Sequence, residues 1–143
     1  MKLPIPRSDE LLKCVQTALT PNRRPLLIAI DGADGIGKSS LASWLAWQTE
    51  MPTVHLDLFL TSLYPIQWLT EDLKRAVDRR LDSKRPEIVE ELLALDAPNQ
   101  IGRKADFVVF LKGDRGTPLA DQVAQYQKRQ TRKPDFILEG YCD

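Results

Sequence analysis

Three glycines, Gly32, Gly35 and Gly37, fall within six positions of the segment LLIAIDGADGIGKSSLA, and Lys38 and Ser39 follow the last of them directly. Glycine loses more backbone freedom on folding than any other residue, so this density signals a place where the backbone itself must be bare. The eight residues Gly32, Ala33, Asp34, Gly35, Ile36, Gly37, Lys38 and Ser39 satisfy G-x-x-x-x-G-K-[ST]. In that pattern the loop curls so that successive N–H groups point at phosphate oxygens. A helix beginning near Lys38 adds the positive end of its dipole. The Lys38 ammonium can reach the outer phosphates, Ser39 can ligate Mg²⁺, and Ser40 extends the cradle. Bound polyphosphate, as in a nucleoside triphosphate, is the chemistry implied; the loop alone does not say what happens to it.

Transfer of a phosphoryl group to a hydroxyl also needs a carboxylate near the acceptor and an acid that helps hold the metal. Asp57 closes the apolar run TVHLD and fits the first role, with Phe59 beside it as a surface for a planar group. A strand-end Asp making a local turn is the plain alternative. Glu90, ending PEIVE, and Glu139, in FILEGY, both fit the second role; each could equally be a solvated strand-end charge. His55 stands two residues from Asp57 and reads as a structural strand residue rather than a ligand. Trp44 and Trp47, three apart, read as helix core, and Arg129 and Arg132 as surface charge.

These residues need elements to position them. LLIAID has the length and unbroken apolarity of a buried parallel strand. KSSLASWLAWQTE is helical until Pro52. Before the loop, SDELLKCVQTALT predicts a helix capped by Ser8, with Leu11, Leu12, Val15 and Leu19 on one face. After it, TVHLDLF predicts a strand from Thr53 to about Asp57 or Leu58. LTEDLKRAVDRRL predicts a helix capped by Thr70 and buried along Leu73, Val77 and Leu81. A strand near Glu87 to Glu90, the strand ADFVVFLKG, the helix TPLADQVAQYQKRQ and the strand DFILEGY complete the series. Strands alternating with helices imply right-handed crossovers and a parallel sheet covered on both faces.

Composition agrees with this class and excludes others. At 143 residues the chain suits one domain, expected over 1–143, and its 43% hydrophobic and 28% charged content is that of a globular protein. Lys+Arg and Asp+Glu both number 20, so no charge excess points to nucleic acid or a membrane surface. No apolar run reaches the roughly 18 residues of a bilayer span, and the N-terminus has no secretory signal. Cys14 and Cys142 have no metal-ligand spacing and read as free thiols of a reducing compartment.

IAIDGADGIGKSSLA followed by HLDLF resembles the uridine kinase family of P-loop kinases. The resemblance covers most of the chain from Arg24 onward. It implies a three-layer α/β/α P-loop NTPase fold with a five-stranded parallel sheet in the order 2-3-1-4-5. It also implies a cytoplasmic enzyme that uses ATP and Mg²⁺ to phosphorylate a hydroxyl of a nucleoside-like or other small metabolite. By the same resemblance Asp57 is the base, Phe59 packs near the acceptor, and EIVEE at 87–91 places Glu90 rather than Glu139 at the metal. The chain departs from the family pattern at Leu60, where the family has Tyr, and at Glu91, where it has Gly. The span Gly113 to Pro134 is also short against the family's Arg-rich lid. A nucleotide-binding module without small-molecule kinase activity is the rival expectation. The loop resembles that of thymidylate kinases as well, which lack HLDLF.

Overall fold

A computed structural model describes residues 5–33, 35–63, 65–91, 94–113, 125–126, 128–129 and 132–140. Asp34, Cys142 and most of the expected helix TPLADQVAQYQKRQ lie outside the described residues. The first helix, α1, spans Ser8–Leu19 and is followed by β1, Leu27–Gly32, and α2, Lys38–Thr49. Next come β2, Thr53–His55, a single 3-10 turn, Leu56–Phe59, and two short strands, β3, Leu60–Leu63, and β4, Ile66–Trp68. The chain continues through α3, Thr70–Asp82; β5, Glu87–Glu90; α4, Asp96–Gln100; β6, Phe107–Lys112; and β7, Phe136–Glu139.

Five strands form one parallel sheet in the order β2-β5-β1-β6-β7. The numbering differs from the expected 2-3-1-4-5 because β3 and β4, a separate antiparallel pair, come between the second and third strands of the sheet. That hairpin has no counterpart in the sequence reading. All six residues of the central strand β1 are buried, as a strand flanked on both sides and covered on both faces requires. Two aspartates fix where β6 and β7 begin. Asp106, just before β6, accepts the Leu27 N–H at 2.8 Å, and Asp135, just before β7, accepts the Val108 N–H at 2.8 Å.

Side chains in register across parallel strands share a face. Ile28, Ile88 and Thr53 form one such row, and Ile30, Glu90 and His55 the next. That face meets α2, whose Ala42 carbonyl accepts the Thr53 hydroxyl at 3.3 Å, and α1 lies against α2. The alternate residues, Glu87 and Val89 among them, face the other way, where α3 packs along β5 through buried Leu73, Val77 and Leu81. Arg103 ties the segment after α4 to α3 by ion pairs with Asp78 and Asp82, both at 2.8 Å.

Some local expectations change. Ser8 does not cap α1; its hydroxyl donates to the Ile5 carbonyl, and Arg7 in a left-handed conformation precedes the helix. Thr70 likewise sits inside α3, with Leu69 at the cap position and no side-chain cap. Trp44 is buried, but Trp47 is 68% exposed. Its position is four and seven residues from Ser43 and Ser40, both exposed, so helical periodicity puts it on the outer face of α2.

Candidate active site

The glycine-rich loop leaves the carboxyl end of β1 and enters α2. Gly32 must approach the neighbouring strand closely: a Cβ there would lie 2.6 Å from the Leu111 carbonyl oxygen. Gly37 occupies the N-cap of α2 at φ 102°, a conformation glycine adopts without strain. No side chain caps the helix, so the first-turn amides of Lys38, Ser39 and Ser40 remain available to an anion. Ile36 and Ala33 are buried and anchor the loop, so that what it leaves open is backbone, at Gly35 above all. The Lys38 side chain is buried along the loop, its ammonium donating to the Ala33 carbonyl.

The carboxylate of Glu90 lies at the foot of this loop. The Ser39 hydroxyl donates to its Oε1 at 3.0 Å, and His55 Nδ1 meets the same oxygen. Glu90 is 1% exposed, and its second oxygen, Oε2, is buried with no hydrogen-bond partner. A buried carboxylate oxygen without a donor is costly unless a cation or its water supplies the missing contact. Ser39 and Glu90 therefore fit Mg²⁺, a hard ion that takes oxygen ligands, keeps several waters and needs only one or two protein groups. Among the described residues no cluster of three or more acidic, His or Cys side chains forms a metal site. Glu139, the other candidate acid, is exposed on the edge strand β7, two strands from β1 on the side away from β5.

Asp57 stands where β2 ends, though not on the strand. The expected strand Thr53 to Asp57 or Leu58 stops at His55, and Asp57 lies in the 3-10 turn that follows. Since β1, β5 and β2 run parallel, Asp57 emerges at the same sheet edge as the glycine-rich loop and Glu90. It is exposed, as is Leu58, while Phe59 packs partly against the core and accepts the Leu69 N–H at 2.7 Å, closing the base of the hairpin. Arg132 is engaged elsewhere, paired with Asp135 at 2.7 Å, and Arg129 is exposed.

Three residues gain weight that sequence reasoning withheld. His55 is one. The others are Asp31 and Tyr126, on the opposite face of β1 from Glu90. Asp31 is 4% exposed and accepts the Gly32 N–H at 2.9 Å. Burial pushes its carboxyl up to about 7, against the pull of the Gly32 amide, the Lys38 ammonium and the Tyr126 hydroxyl. Tyr126 is buried, and its hydroxyl oxygen accepts the Leu95 N–H at 2.9 Å; burial and the Asp31 charge push its own pKa up. The signal for Asp31 was present in the sequence, as a charge inside an otherwise apolar strand.

No family model and no curated protein matches the chain. Solved structures do. A protein described as a possible uridine kinase from Bacillus stearothermophilus superposes with a TM-score of 0.70 at 16% identity, over 93% of this chain and 97% of that one. A candidate fructose transport system kinase from Silicibacter sp. TM1040 superposes with a TM-score of 0.59 at 19% identity, over 91% and 98%. The fold is therefore the α/β fold of P-loop kinases, a parallel sheet flanked by helices. No described helix is long and apolar enough to cross a membrane.

Proposed function

We propose that the chain is a Mg²⁺-dependent P-loop kinase of one domain. It transfers the γ-phosphoryl group of ATP to a hydroxyl of a nucleoside-like or other small metabolite in the cytoplasm. The observation that carries this reading is the joining of Ser39, at the start of α2, to the buried Glu90 carboxylate beneath the glycine-rich loop. In this reading the loop amides and Lys38 hold the triphosphate, and Lys38 offsets charge on the transferring group. Ser39 and Glu90 hold the cation, which when bound neutralises charge on the outer phosphates. Asp57, exposed at the same sheet edge, orients the acceptor hydroxyl and takes its proton. The kinase fold shared with the two superposed structures supports the assignment.

A nucleotide-binding module that phosphorylates no small molecule is the second reading. The brevity of the Gly113 to Pro134 span between β6 and β7 favours it. The deciding experiment is a screen of nucleosides and small polyols for acceptor-dependent ADP release, with Lys38→Ala as control. Release that depends on one acceptor class and vanishes in the control supports the kinase. ATP binding without acceptor-dependent release by any compound supports the module.

A further inference from the structure

We infer that His55 is a positioning residue, holding Oε1 of Glu90 so that the other oxygen, Oε2, is kept for the divalent cation at Ser39. The inference rests on the nucleotide and Mg²⁺ reading above and assigns a role to a residue outside the loop and its two carboxylates.

The geometry comes from the sheet. His55 and Glu90 are register partners on β2 and β5, so their side chains stand side by side on the face that meets α2. His55 Nδ1 contacts Glu90 Oε1, the oxygen that also accepts the Ser39 hydroxyl. In the tautomer with its proton on Nδ1, the imidazole donates to that oxygen. Ser39 and that tautomer of His55 thus converge on one oxygen of a carboxylate whose other oxygen is buried with no hydrogen-bond partner. Without the imidazole, the single hydrogen bond from Ser39 would leave the carboxylate plane free to swing about the last side-chain bond, whose torsion is broad. With two contacts on Oε1, the angle of the carboxylate plane is fixed before a cation arrives, and with it the place of Oε2. Outer partners of this kind orient groups that hold metals, and their loss typically weakens metal binding about 10–100-fold.

A filler role is the alternative. His55 is half-exposed, with 38% of its side chain open to solvent, so it contributes less packing than a core residue would. Its main described contact is the carboxylate, which makes removal of the ring a test of that contact more than of the core.

The test measures ATP affinity of the full-length chain by calorimetry, once in EDTA and once in excess Mg²⁺. The Mg²⁺ increment, the ratio of the two affinities, is the readout, and no turnover is needed. His55→Leu removes the donor. His55→Asn restores an N–H close to the Nδ1 position. We expect the Leu variant to bind ATP in EDTA within about twofold of wild type while its Mg²⁺ increment falls about tenfold. The Asn variant should recover most of the increment. Where the Leu variant does not fold, His55→Phe serves as the donor-free ring. An undiminished increment in the donor-free variant overturns the inference, as does an equal loss in the Asn and donor-free variants. Equal losses in EDTA and in Mg²⁺ also overturn it, since they mark a structural role. A wild-type chain that binds ATP with a Mg²⁺ increment, combined with any of these results, leaves the site reading standing. A wild-type chain that binds no ATP removes that reading and the inference together.

Discussion

Glu87 offers a test of the fold that is independent of any function. It opens β5 at the sheet edge opposite the glycine-rich loop, is 1% exposed, and its Oε1 has no hydrogen-bond partner. Burial raises its carboxyl from 4.5 to about 8, although Arg80 and Arg103 pull the other way. Between those two values the folded chain keeps a proton that the unfolded chain has released. Stability from this group is therefore complete below about pH 4.5 and is lost as pH rises toward 8. At about 1.36 kcal/mol per pH unit, the full window is worth at most roughly 5 kcal/mol, a large share of a domain's net stability. Asp31, raised from 3.8 to about 7, acts with the same sign over a lower window. Glu87→Gln keeps the shape and removes the titration. Urea unfolding of the wild type, Glu87→Gln and Asp31→Asn at pH 5, 6, 7 and 8 would separate the two groups. The wild type should lose stability across the series. The Gln variant should lose about one proton's slope less, and at pH 8 it should be more stable than the wild type by a few kcal/mol. Parallel curves for wild type and the Gln variant would show that Glu87 ionises freely in the folded state, and would refute the burial argument.

Two other substitutions probe the site. Gly32→Ala would press a methyl group on the Leu111 carbonyl at 2.6 Å, at a φ of 148° that alanine avoids. It should lower stability by about 1–3 kcal/mol and weaken ATP binding, read by urea midpoint and calorimetry. Asp57→Asn, in an exposed turn, should leave the fold and ATP affinity within about twofold while lowering acceptor phosphorylation by a factor on the order of 10²–10⁴ in single-turnover kinetics. An unchanged transfer rate would remove Asp57 from the mechanism.

The parts of the site that are contiguous in the chain were legible in the residues. The loop from Gly32 to Ser39 lies between its own strand and helix, and short-range backbone geometry shapes it. The apolar runs of β1 and β6 and the helical faces of α1 and α3 were equally readable, because periodicity is a local property. The hairpin is not legible because β3 and β4 are short, four and three residues, and pair with each other outside the main sheet, apart from the strand–helix alternation. The end of β2 was placed too late because Leu56, buried in the 3-10 turn, continues the apolar look of the strand.

By itself, then, the order of residues determined that a glycine-rich loop joins an interior strand to a helix, and that strands and helices alternate around it. Backbone conformation and burial periodicity act over a few neighbouring residues, so the chain carries them in plain form. The resemblance favoured Glu90, but only the tertiary structure brought its carboxylate to Ser39, a contact that spans 51 positions, and brought His55 to the same oxygen across 35. Both contacts depend on strand register, which is set when separate segments pack together. Residue type and apolar pattern alone treat the strand-end glutamates Glu90 and Glu139 alike; the strand order puts Glu90 beside the central strand and Glu139 on the edge.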